Sequence, residues 1–579
     1  MDGYILSIDQ GTSGSKAHIF DHSGGVVSNS YYETTQYRPR QGWVEQDPQE
    51  IWQVTMRAVE EALKGARILP EDILALGISN QRCTTVAWNR VTGEAIGRAI
   101  VWQDRRSWDI CERFSPSERA EMERRNGIGV FPNLSAGKMR WLMDNDRNIQ
   151  RTAAKGELLF GTMDSWLVWK LSGGAAHVTD LSNASATGLL NAESLRYDDW
   201  ILGKYGVPPE ALPALRSSSE IYAHTRPEAF FGVSIPISAC VGDQPAAAFA
   251  QACHIPGAVK SSYGTGSFMI RSTGERHLAA RNGIISPVLW SIGDSVSYGL
   301  EGFADVSGEV LHWLRDGLGI IHDASEADGL ALQVPDSGGV YFVPAFVGLA
   351  PPHQCQSARG TVFGLNFDTK KQHIARAALE SMAYQTRDSL ENIEGSYDFR
   401  AGSLRADGGG AKSDFLMQFQ ADILGFAVER PTIVEASSQG AAYLAGLAIG
   451  YWQSIEETAA NWSLDTRFEP RITDSRREAL YGGWLRAVEY AGQWGRDRST
   501  RSRKGGPDRR LELLSPRERE VLRLYASGKS VRDISSLLYT SVKTVEKQRH
   551  DGMKKLGVDN LASAVHACID IGLIDERHN

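Results

Sequence analysis

The fold is decided near the N-terminus, in the stretch Tyr4-Ile-Leu-Ser-Ile-Asp9-Gln-Gly11-Thr12-Ser13-Gly14-Ser15-Lys16-Ala-His-Ile-Phe-Asp21. An apolar run ends in Asp9, a turn rich in glycine and hydroxyl residues follows, and a second apolar run returns. This pattern predicts two buried strands joined by a tight turn. Glycines let a backbone approach a phosphate closely, and a carboxylate at a strand end suits a partly hydrated Mg²⁺. From these residues alone, a phosphate loop and an ordinary hairpin turn are equally good interpretations.

A second turn of similar composition, Tyr263-Gly-Thr-Gly-Ser267, also closes a strand-like run. Two such turns predict a duplicated, two-lobed enzyme that binds phosphate. Two other glycine-rich segments carry no such signal. Gly528-Lys529-Ser530 is not a Walker A loop, because Arg523 stands where the first glycine must be, and the glycines at 408–410 do not form a dinucleotide fingerprint.

Length and composition predict a multidomain globular protein. The chain has 579 residues, of which 42% are hydrophobic and 23% charged. No apolar run approaches the roughly 20 residues of a membrane span, and the N-terminus lacks the pattern of a signal peptide. The six cysteines show neither disulfide nor metal-ligand spacing. We therefore expect a cytoplasmic protein with reduced cysteines.

Charge is unevenly distributed along the chain. Residues 496–579 contain 18 Lys/Arg and 12 Asp/Glu, a net charge of +6. Because the whole chain has a net charge of −8, residues 1–495 have a net charge of −14. This asymmetry fits an acidic enzyme with a basic appendage, and drift of surface charge explains it equally well. Residues 496–510 are polar and basic and contain Gly505, Gly506 and Pro507, which predicts a flexible linker.

Long collinear segments carry a resemblance to a known family. They are Gly42-Trp-Val-Glu-Gln-Asp-Pro48, Gly77-Ile-Ser-Asn-Gln-Arg82, Ala99-Ile-Val-Trp-Gln103, Glu157-Leu-Leu-Phe-Gly161, Gly242-Asp-Gln244, Tyr263-Gly-Thr-Gly266, residues 360–380, Tyr384-Gln-Thr-Arg-Asp388 and Phe415-Leu-Met-Gln-Phe-Gln420. Over residues 3–495 the chain resembles the FGGY carbohydrate kinases, most closely their glycerol kinase branch. The resemblance implies an α/β fold of two actin-like, ribonuclease-H-like lobes, residues 1–250 and 251–495, around a cleft that holds ATP.

The resemblance also implies roles for individual residues. Asp9 would bind the Mg²⁺ ion, and Asp243 would be the general base that takes a proton from the acceptor hydroxyl. The remaining ATP-binding residues would be Gly11, Thr12, Ser13, Lys16, Gly264, Thr265, Gly266, Gly409, Gly410 and Asp414. The substrate-binding residues would be Arg82, Cys83, Trp102, Asn133, Asp243, Gln244 and Phe268, with the guanidinium fork of Arg82 donating to two neighbouring hydroxyls.

The chain departs from the family pattern around the acceptor. The family's Asn-Gln-Arg-Glu becomes Asn-Gln-Arg-Cys83, and its Pro-Tyr-Phe-Ser-Gly becomes Pro132-Asn133-Leu-Ser-Ala136. The segment Ala350-Pro-Pro-His-Gln-Cys355 replaces the family's Gly-Ala-Pro-Tyr-Trp-Asp. Each lost polar contact costs a factor of roughly ten to a hundred in affinity. Three functions stay open: a glycerol kinase, a kinase of another polyol or sugar, and a weak kinase-like sensor.

Residues 511–579 resemble the LuxR-type helix-turn-helix domain, an all-α DNA-binding fold. A helix that starts near Ser541 would present Lys543, Thr544, Lys547 and Arg549 to phosphates and to base edges in the major groove. A solvated basic helix without a special role is the alternative. Gly552 inside this helix is unusual, because glycine costs about 1 kcal/mol relative to alanine. We expect DNA, ATP and a small polyol as partners and a homo-oligomer (dimer or tetramer). Regulation of transcription coupled to the kinase and independent action of the two domains both stay open.

Overall fold

The structure is a computed structural model that describes residues 3–504, 513–570 and 573. It divides into two compact units, residues 1–491 and 492–579. Within the described part of the chain, no helix is long and apolar enough to cross a membrane.

The strands of the larger unit form two principal sheets. In chain order the strands are β1 (Tyr4–Gln10), β2 (Gly14–Phe20), β3 (Val26–Glu33), β4 (Glu45–Gln46), β5 (Ile73–Asn80), β6 (Val86–Asn89), β7 (Ala99–Ile100), β8 (Leu158–Gly161), β9 (Val178–Asp180), β10 (Ala214–Arg216), β11 (Ser219–His224), β12 (Pro236–Gly242), β13 (Val259–Tyr263), β14 (Ser267–Gly274), β15 (Val288–Ile292), β16 (Ser295–Ala304), β17 (Tyr341–Val343), β18 (Thr361–Phe363), β19 (Ser403–Asp407), β20 (Ala427–Pro431) and β21 (Leu464–Phe468).

Helices cover these sheets. They are α1 (Pro48–Ala66), α2 (Trp108–Glu112), α3 (Pro116–Asn126), α4 (Ser135–Asn145), α5 (Arg147–Ala154), α6 (Met163–Leu171), α7 (Leu181–Ala186), α8 (Asp199–Tyr205), α9 (Asp243–Ala250), α10 (Glu309–Asp316), α11 (Glu326–Ala331), α12 (Lys371–Ser396), α13 (Asp414–Leu424), α14 (Ala436–Ala448), α15 (Ile455–Ala460) and α16 (Asp474–Lys504). Short 3₁₀ turns occupy Pro70–Asp72, Pro209–Ala211 and Gly409–Lys412.

The two principal sheets share one topology. The first has the order β11-β12-β5-β1-β2-β3 and the second the order β15-β16-β14-β13-β19-β20-β21. In each, an antiparallel pair (β1 with β2, β13 with β14) is joined by a Gly/Thr/Ser turn, and two parallel strands lie beside its first member. This repetition is the duplication that the sequence predicts. The first sheet lies within residues 1–250 and the second within 251–495.

Local sequence explains why the first lobe forms its long helix. Asp47 caps α1 by accepting a hydrogen bond from the Gln49 N–H at 2.8 Å, and proline occupies the first helical position. Ile51, Ala58 and Ala62 are fully buried and form the stripe that packs on the sheet.

A close helix contact joins the lobes. On α14, a Cβ atom at Gly440 would lie 1.9 Å from the carbonyl oxygen of Ala246 on α9. On β5, a Cβ at Gly77 would lie 2.3 Å from the carbonyl oxygen of Ala441. The backbones therefore touch directly where α14 meets α9, the helix that begins with Asp243.

We expect Gly440→Ala to destabilise this unit by about 1–3 kcal/mol, because rigid backbone must move to admit the methyl group. Thermal unfolding of the purified protein measures the effect. Gly395→Ala is the matched control: Gly395 lies in α12 with open space around it, so alanine there should stabilise by roughly 0.5–1 kcal/mol. Equal melting temperatures for the two variants would contradict the role of Gly440 as a contact residue.

The predicted linker is partly helical. α16 continues to Lys504, so the prediction of a flexible segment over 496–510 is wrong for residues 496–504. The reason is local: this stretch is rich in arginine and contains neither glycine nor proline before Gly505. Residues 505–510 lie outside the described residues.

Within the described part of the smaller unit there are four further helices, and the third of them explains the unusual glycine. A Cβ at Gly552 would lie 2.8 Å from Leu522 Cδ1, so glycine permits two helices to approach closely. Lys555 also pairs with Glu518 at 2.7 Å across the same contact. The helices are α17 (Pro516–Ala526), α18 (Val531–Leu537), α19 (Val542–Leu556) and α20 (Leu561–Asp570).

Candidate active site

A cavity of about 260 Å³ lies between the two sheets of the larger unit. Strand ends and helix starts of both lobes line it, including both Gly/Thr/Ser turns. We call it the acceptor cavity. Predicted site residues that line it are Asp9, Gly11, Thr12, Lys16, Arg82, Cys83, Trp102, Asn133, Asp243, Gln244, Gly264, Thr265, Gly266, Phe268 and Gly409.

A larger cavity, of about 890 Å³, continues from the turns toward the surface of the second lobe. Ser13 and Gly410 line it, and the turn residues Thr12 and Thr265 line both cavities. We call it the nucleotide cavity, because its size and its position beyond both turns suit a nucleoside attached to phosphates.

Asp414 is the one predicted site residue that neither cavity includes. Its carboxylate accepts a hydrogen bond from Arg430 at 2.7 Å, and 76% of its side chain is exposed. The preceding residue, Ser413, caps α13 and lines the nucleotide cavity instead. In this structure Ser413 therefore faces the nucleotide cavity, and the role of Asp414 stays a prediction.

Asp9 is the last residue but one of β1, and its carboxyl group is buried in the cleft. Ser437 donates a hydrogen bond to Asp9 Oδ2 at 2.8 Å. Burial raises the pKa of Asp9, and the nearby carboxylates of Asp243 and Glu435 raise it further, against the opposing effect of Lys16. The Lys16 ammonium is itself paired with Glu435.

These residues fit a magnesium ion that is shared with phosphates. In the described part of the chain, no group of three or more His, Cys, Asp or Glu side chains could enclose a metal. Mg²⁺ seldom occupies an all-protein cage, and it is usually bound by one or two carboxylates, waters and substrate phosphates. A desolvated carboxylate such as Asp9, set beside the phosphate turns, is a suitable donor for such an ion.

Arg82 is held in a buried network beside the predicted base. Its Nη1 and Nη2 atoms donate to Glu301 at 2.8 and 2.7 Å, and its Nε donates to Asp243 at 3.3 Å. Ion pairing with Glu301 raises the pKa of Arg82 despite the opposing effect of burial. In this structure the fork that we expected to face substrate hydroxyls donates to Glu301, while Nε contacts Asp243, and substrate binding by Arg82 stays a prediction.

Asp243 is the first residue of α9, directly after β12. Its carboxylate accepts from the Gln244 N–H at 2.8 Å, and 31% of its side chain stays exposed toward the cavity. Glycine at 242 permits this arrangement, because a Cβ there would lie 2.8 Å from the Arg82 side chain. A held but accessible carboxylate is the geometry that a general base requires.

Aromatic and small side chains form the remaining walls of the acceptor cavity. The Trp102 indole donates to the Thr12 hydroxyl at 2.8 Å, and its ring lies 6.1 Å from that of Phe268. Cys83 is half-buried, and desolvation of its thiol raises its pKa. The buried Lys138 donates to the backbone oxygens of Cys83 at 3.1 Å and Asn133 at 2.7 Å, and burial lowers its pKa to about 7.

A buried polar chain that the sequence prediction missed lies beneath the base. Lys260 donates to Gln244 at 2.6 Å and to Ser262 at 2.7 Å, and Ser262 donates to Asp407 at 2.5 Å. Asp407 ends β19 before a glycine run, as Asp9 lies near the end of β1 before its turn, so the sequence held a signal for it. Glu301 lies within β16 and has no comparable signal.

In the smaller unit, α19 shows which predicted DNA contacts share a surface. Lys543, Thr544 and Lys547 are exposed on one face. Arg549 lies on the inner face with the buried Val545, and its guanidinium packs 4.9 Å from the Tyr525 ring. Arg549 is thus only partly exposed and does not share the face of the other three, and its contact with DNA stays a prediction.

Comparisons with known proteins identify the family. The model described as "FGGY family of carbohydrate kinases, N-terminal domain" matches residues 4–250, and that of the C-terminal domain matches residues 259–449. The chain belongs to the FGGY family of carbohydrate kinases. It is a phosphotransferase whose acceptor is an alcohol group, and the predicted two-lobed fold is confirmed. A model described as "Bacterial regulatory proteins, luxR family" matches residues 512–568, which confirms the predicted LuxR-type domain.

Relatives agree with this assignment. The glycerol kinase of Stenotrophomonas maltophilia is 50% identical over 486 residues, which covers 84% of this FGGY kinase and 97% of that protein. Glycerol kinase 2 of Thermotoga maritima is 48% identical over 492 residues, or 85% and 99% of the two chains. The structure of Plasmodium falciparum glycerol kinase with ADP matches with a TM-score of 0.76 at 31% identity, covering 84% and 98% of the two chains.

Proposed function

We propose that this FGGY kinase transfers the terminal phosphoryl group of ATP to a hydroxyl of glycerol or a related small polyol, in the cytoplasm and with Mg²⁺. One observation carries the proposal: Asp243, held by Arg82, opens into the cavity where both phosphate turns and Asp9 converge. The naming of its 50% identical relative as a glycerol kinase supports glycerol as the first acceptor to test.

Each part of the site has its own role in phosphoryl transfer. Asp243 takes the proton of the acceptor hydroxyl as its oxygen bonds to the terminal phosphorus, while the bond from that phosphorus to the bridging oxygen breaks and ADP leaves. Backbone N–H groups around Thr12 and Thr265 donate to the phosphate oxygens. Asp9 would hold a magnesium ion, which would supply charge neutralisation on the phosphates. The Trp102 and Phe268 rings form walls around the acceptor. They exclude water, which would otherwise accept the phosphoryl group.

The direct test is ADP release by the purified full-length protein with Mg-ATP and a panel of acceptors. The panel holds glycerol, erythritol, threitol, larger polyols, xylulose and dihydroxyacetone, with ATP alone as the blank. We expect turnover above the blank on at least one alcohol. ADP release that no acceptor stimulates would contradict the proposal and favour a ligand sensor.

We further propose that α17 to α20 bind DNA through the exposed face of α19, as a homo-oligomer. Lys547→Ala should weaken binding of the full-length protein to duplex DNA. It should also lower the slope of log K against log salt by about 1, because one phosphate contact is lost. Fluorescence anisotropy over a salt series measures both. Arg549→Ala, on the inner face of the same helix, is the control: it should lower the melting temperature of the domain and leave the salt slope unchanged. Equal slopes for Lys547→Ala and the wild type would contradict this interface.

The presence of a kinase and a DNA-binding domain in one chain suggests that ligand binding to the kinase affects DNA binding. We propose that polyol and ATP, by closing the lobes, alter DNA access or oligomerisation of the smaller unit. Footprints of a polyol-operon promoter should then differ with and without ligands, and identical footprints would show that the two units act independently.

A further inference from the structure

A third cavity, of about 230 Å³, lies next to the acceptor cavity. Asn133, Phe303 and Asp305 line both cavities, so these side chains form the partition between them. Its far wall includes Ala350 and Gln354. We call this space the distal cavity.

Two segments that differ from the family pattern line the distal cavity. The resemblance described under Sequence analysis places Asn133 where the family has tyrosine, and residues 350–355 where the family has a segment with aromatic and acidic residues. These segments are far apart in sequence and belong to different lobes, yet both line this one space. An asparagine in the partition leaves more room than a tyrosine ring.

Polar groups at the partition lack strong protein partners. Among the described residues, the Asn133 carboxamide has no hydrogen-bond partner, although it carries two donors and an acceptor. The nearest cationic atom to the Asp305 carboxylate is Arg105 Nη2 at 3.6 Å, which is beyond hydrogen-bond distance. The side chains of Asp305 and Arg105 are 13% and 28% exposed, so both reach the cavity. Together they present donors and acceptors at the point where an acceptor longer than glycerol would leave the first cavity.

The charges of the distal cavity favour a neutral ligand. Two cationic residues, Arg105 and Arg119, are balanced by two carboxylates, Glu112 and Asp305. Arg119 already donates to the backbone oxygens of Cys111 at 2.6 Å and Phe114 at 3.2 Å. No excess positive charge remains to bind a sugar acid or a sugar phosphate, whereas hydroxyl groups can pair with Asn133, Asp305 and Arg105.

We propose that the distal cavity is a subsite for the far end of an acceptor with four to six carbons, a neutral linear polyol or keto sugar. The reacting hydroxyl lies at Asp243, and the distal hydroxyls pass Asn133 and Asp305 with the Phe303 ring against the carbon chain. This inference rests on the proposed kinase function and narrows its substrate class.

The test compares kcat/KM for glycerol, erythritol, ribitol, xylulose and sorbitol in the wild type and in Asn133→Tyr, which would close the partition. We expect the wild type to prefer at least one longer acceptor over glycerol. In the variant, the ratio of kcat/KM for that acceptor to kcat/KM for glycerol should fall at least tenfold. Asn148→Tyr, the same change at an exposed position of α5, should leave the ratio unchanged. A wild type that prefers glycerol to every longer acceptor would overturn the subsite while leaving the kinase proposal standing, and so would an unchanged ratio in Asn133→Tyr.

A binding measurement separates this inference from the kinase proposal. In thermal-shift titrations, longer acceptors should raise the melting temperature of the wild type more than glycerol does, and Asn133→Tyr should lose this difference. Such shifts without any ADP release would support the subsite and contradict the kinase activity. Asp305→Asn, which keeps the volume of the partition, should also reduce the preference for longer acceptors. If both Asp305→Asn and Asn133→Tyr kept the wild-type ratio of kcat/KM for the longer acceptor to kcat/KM for glycerol, the partition would have no role in acceptor choice.

Discussion

Asp243→Asn is expected to abolish phosphoryl transfer while the fold and the affinity for nucleotide remain. Asparagine keeps the shape of the side chain, so the contact with Arg82 Nε and the helix start at 243 can persist. It cannot take the proton of the acceptor hydroxyl, and loss of a general base costs about 10²–10⁴ in rate. Steady-state ADP release with a saturating acceptor measures kcat, and calorimetric titration with Mg-ADP measures nucleotide binding.

The matched control is Asp294→Asn, the same change in the exposed turn between β15 and β16. We expect wild-type kcat from this variant. If Asp243→Asn kept more than about a tenth of the wild-type rate, another group would have to take the proton. A loss of nucleotide affinity in step with the loss of rate would instead show that Asp243 organises the site as a whole.

The elements that could be predicted from the sequence are those whose signal is local. Asp9 and its turn form one contiguous stretch, and Tyr263–Ser267 repeats its composition, so both strand–turn–strand units were recognisable. The structure places both turns at one cavity because the two sheets have the same topology. Asp407 carried a related signal, a strand that ends in an aspartate before a glycine run, and the prediction missed it.

Contacts between distant residues were not predictable in this way. Arg82 and Glu301 meet only because β16 of the second lobe reaches the cleft, and neither neighbourhood in sequence reveals the other. The fork of Arg82 was therefore assigned to substrate hydroxyls. The side chains of Phe303 and Asp305 were missed for the same reason, since their importance depends on which cavities they separate.

For Arg549 and Asp414 the local sequence pattern already indicated the direction of the side chain, but the sequence analysis did not use it. Arg549 follows the buried Val545 by four residues, one helical turn, so helical periodicity alone places it on the inner face. Asp414 lies in the first turn of α13, where Ser413 already supplies the cap, and its carboxylate turns toward Arg430. Side-chain direction decided both positions, and composition did not.

Asp9→Asn is expected to make the ligand-free protein more stable at neutral pH while turnover falls at least a hundredfold. Burial raises the pKa of Asp9 above its ordinary value of 3.8, so the charged form is disfavoured in the folded state. This cost is absent below pH 3.8, grows as the pH rises through the raised pKa and is fully present above it. Asparagine removes the charge, and its amide oxygen can still accept from Ser437. The gain is on the order of 1 kcal/mol.

Thermal unfolding without ligands, measured from pH 8 down to pH 4, tests the sign of this effect. Asp9→Asn should melt above the wild type at pH 8, and the difference should shrink as the pH falls, because the wild-type carboxyl group then takes up a proton. With Mg-ATP present, the order should reverse, since only the wild type gains stability from a carboxylate beside magnesium and phosphates. Asp294→Asn is again the control and should follow the wild type throughout. A variant that melts below the wild type without ligands would show that Lys16 and Ser437 already compensate for the buried charge. Asp9 would then act mainly to hold the cleft together and would not be poised for the metal.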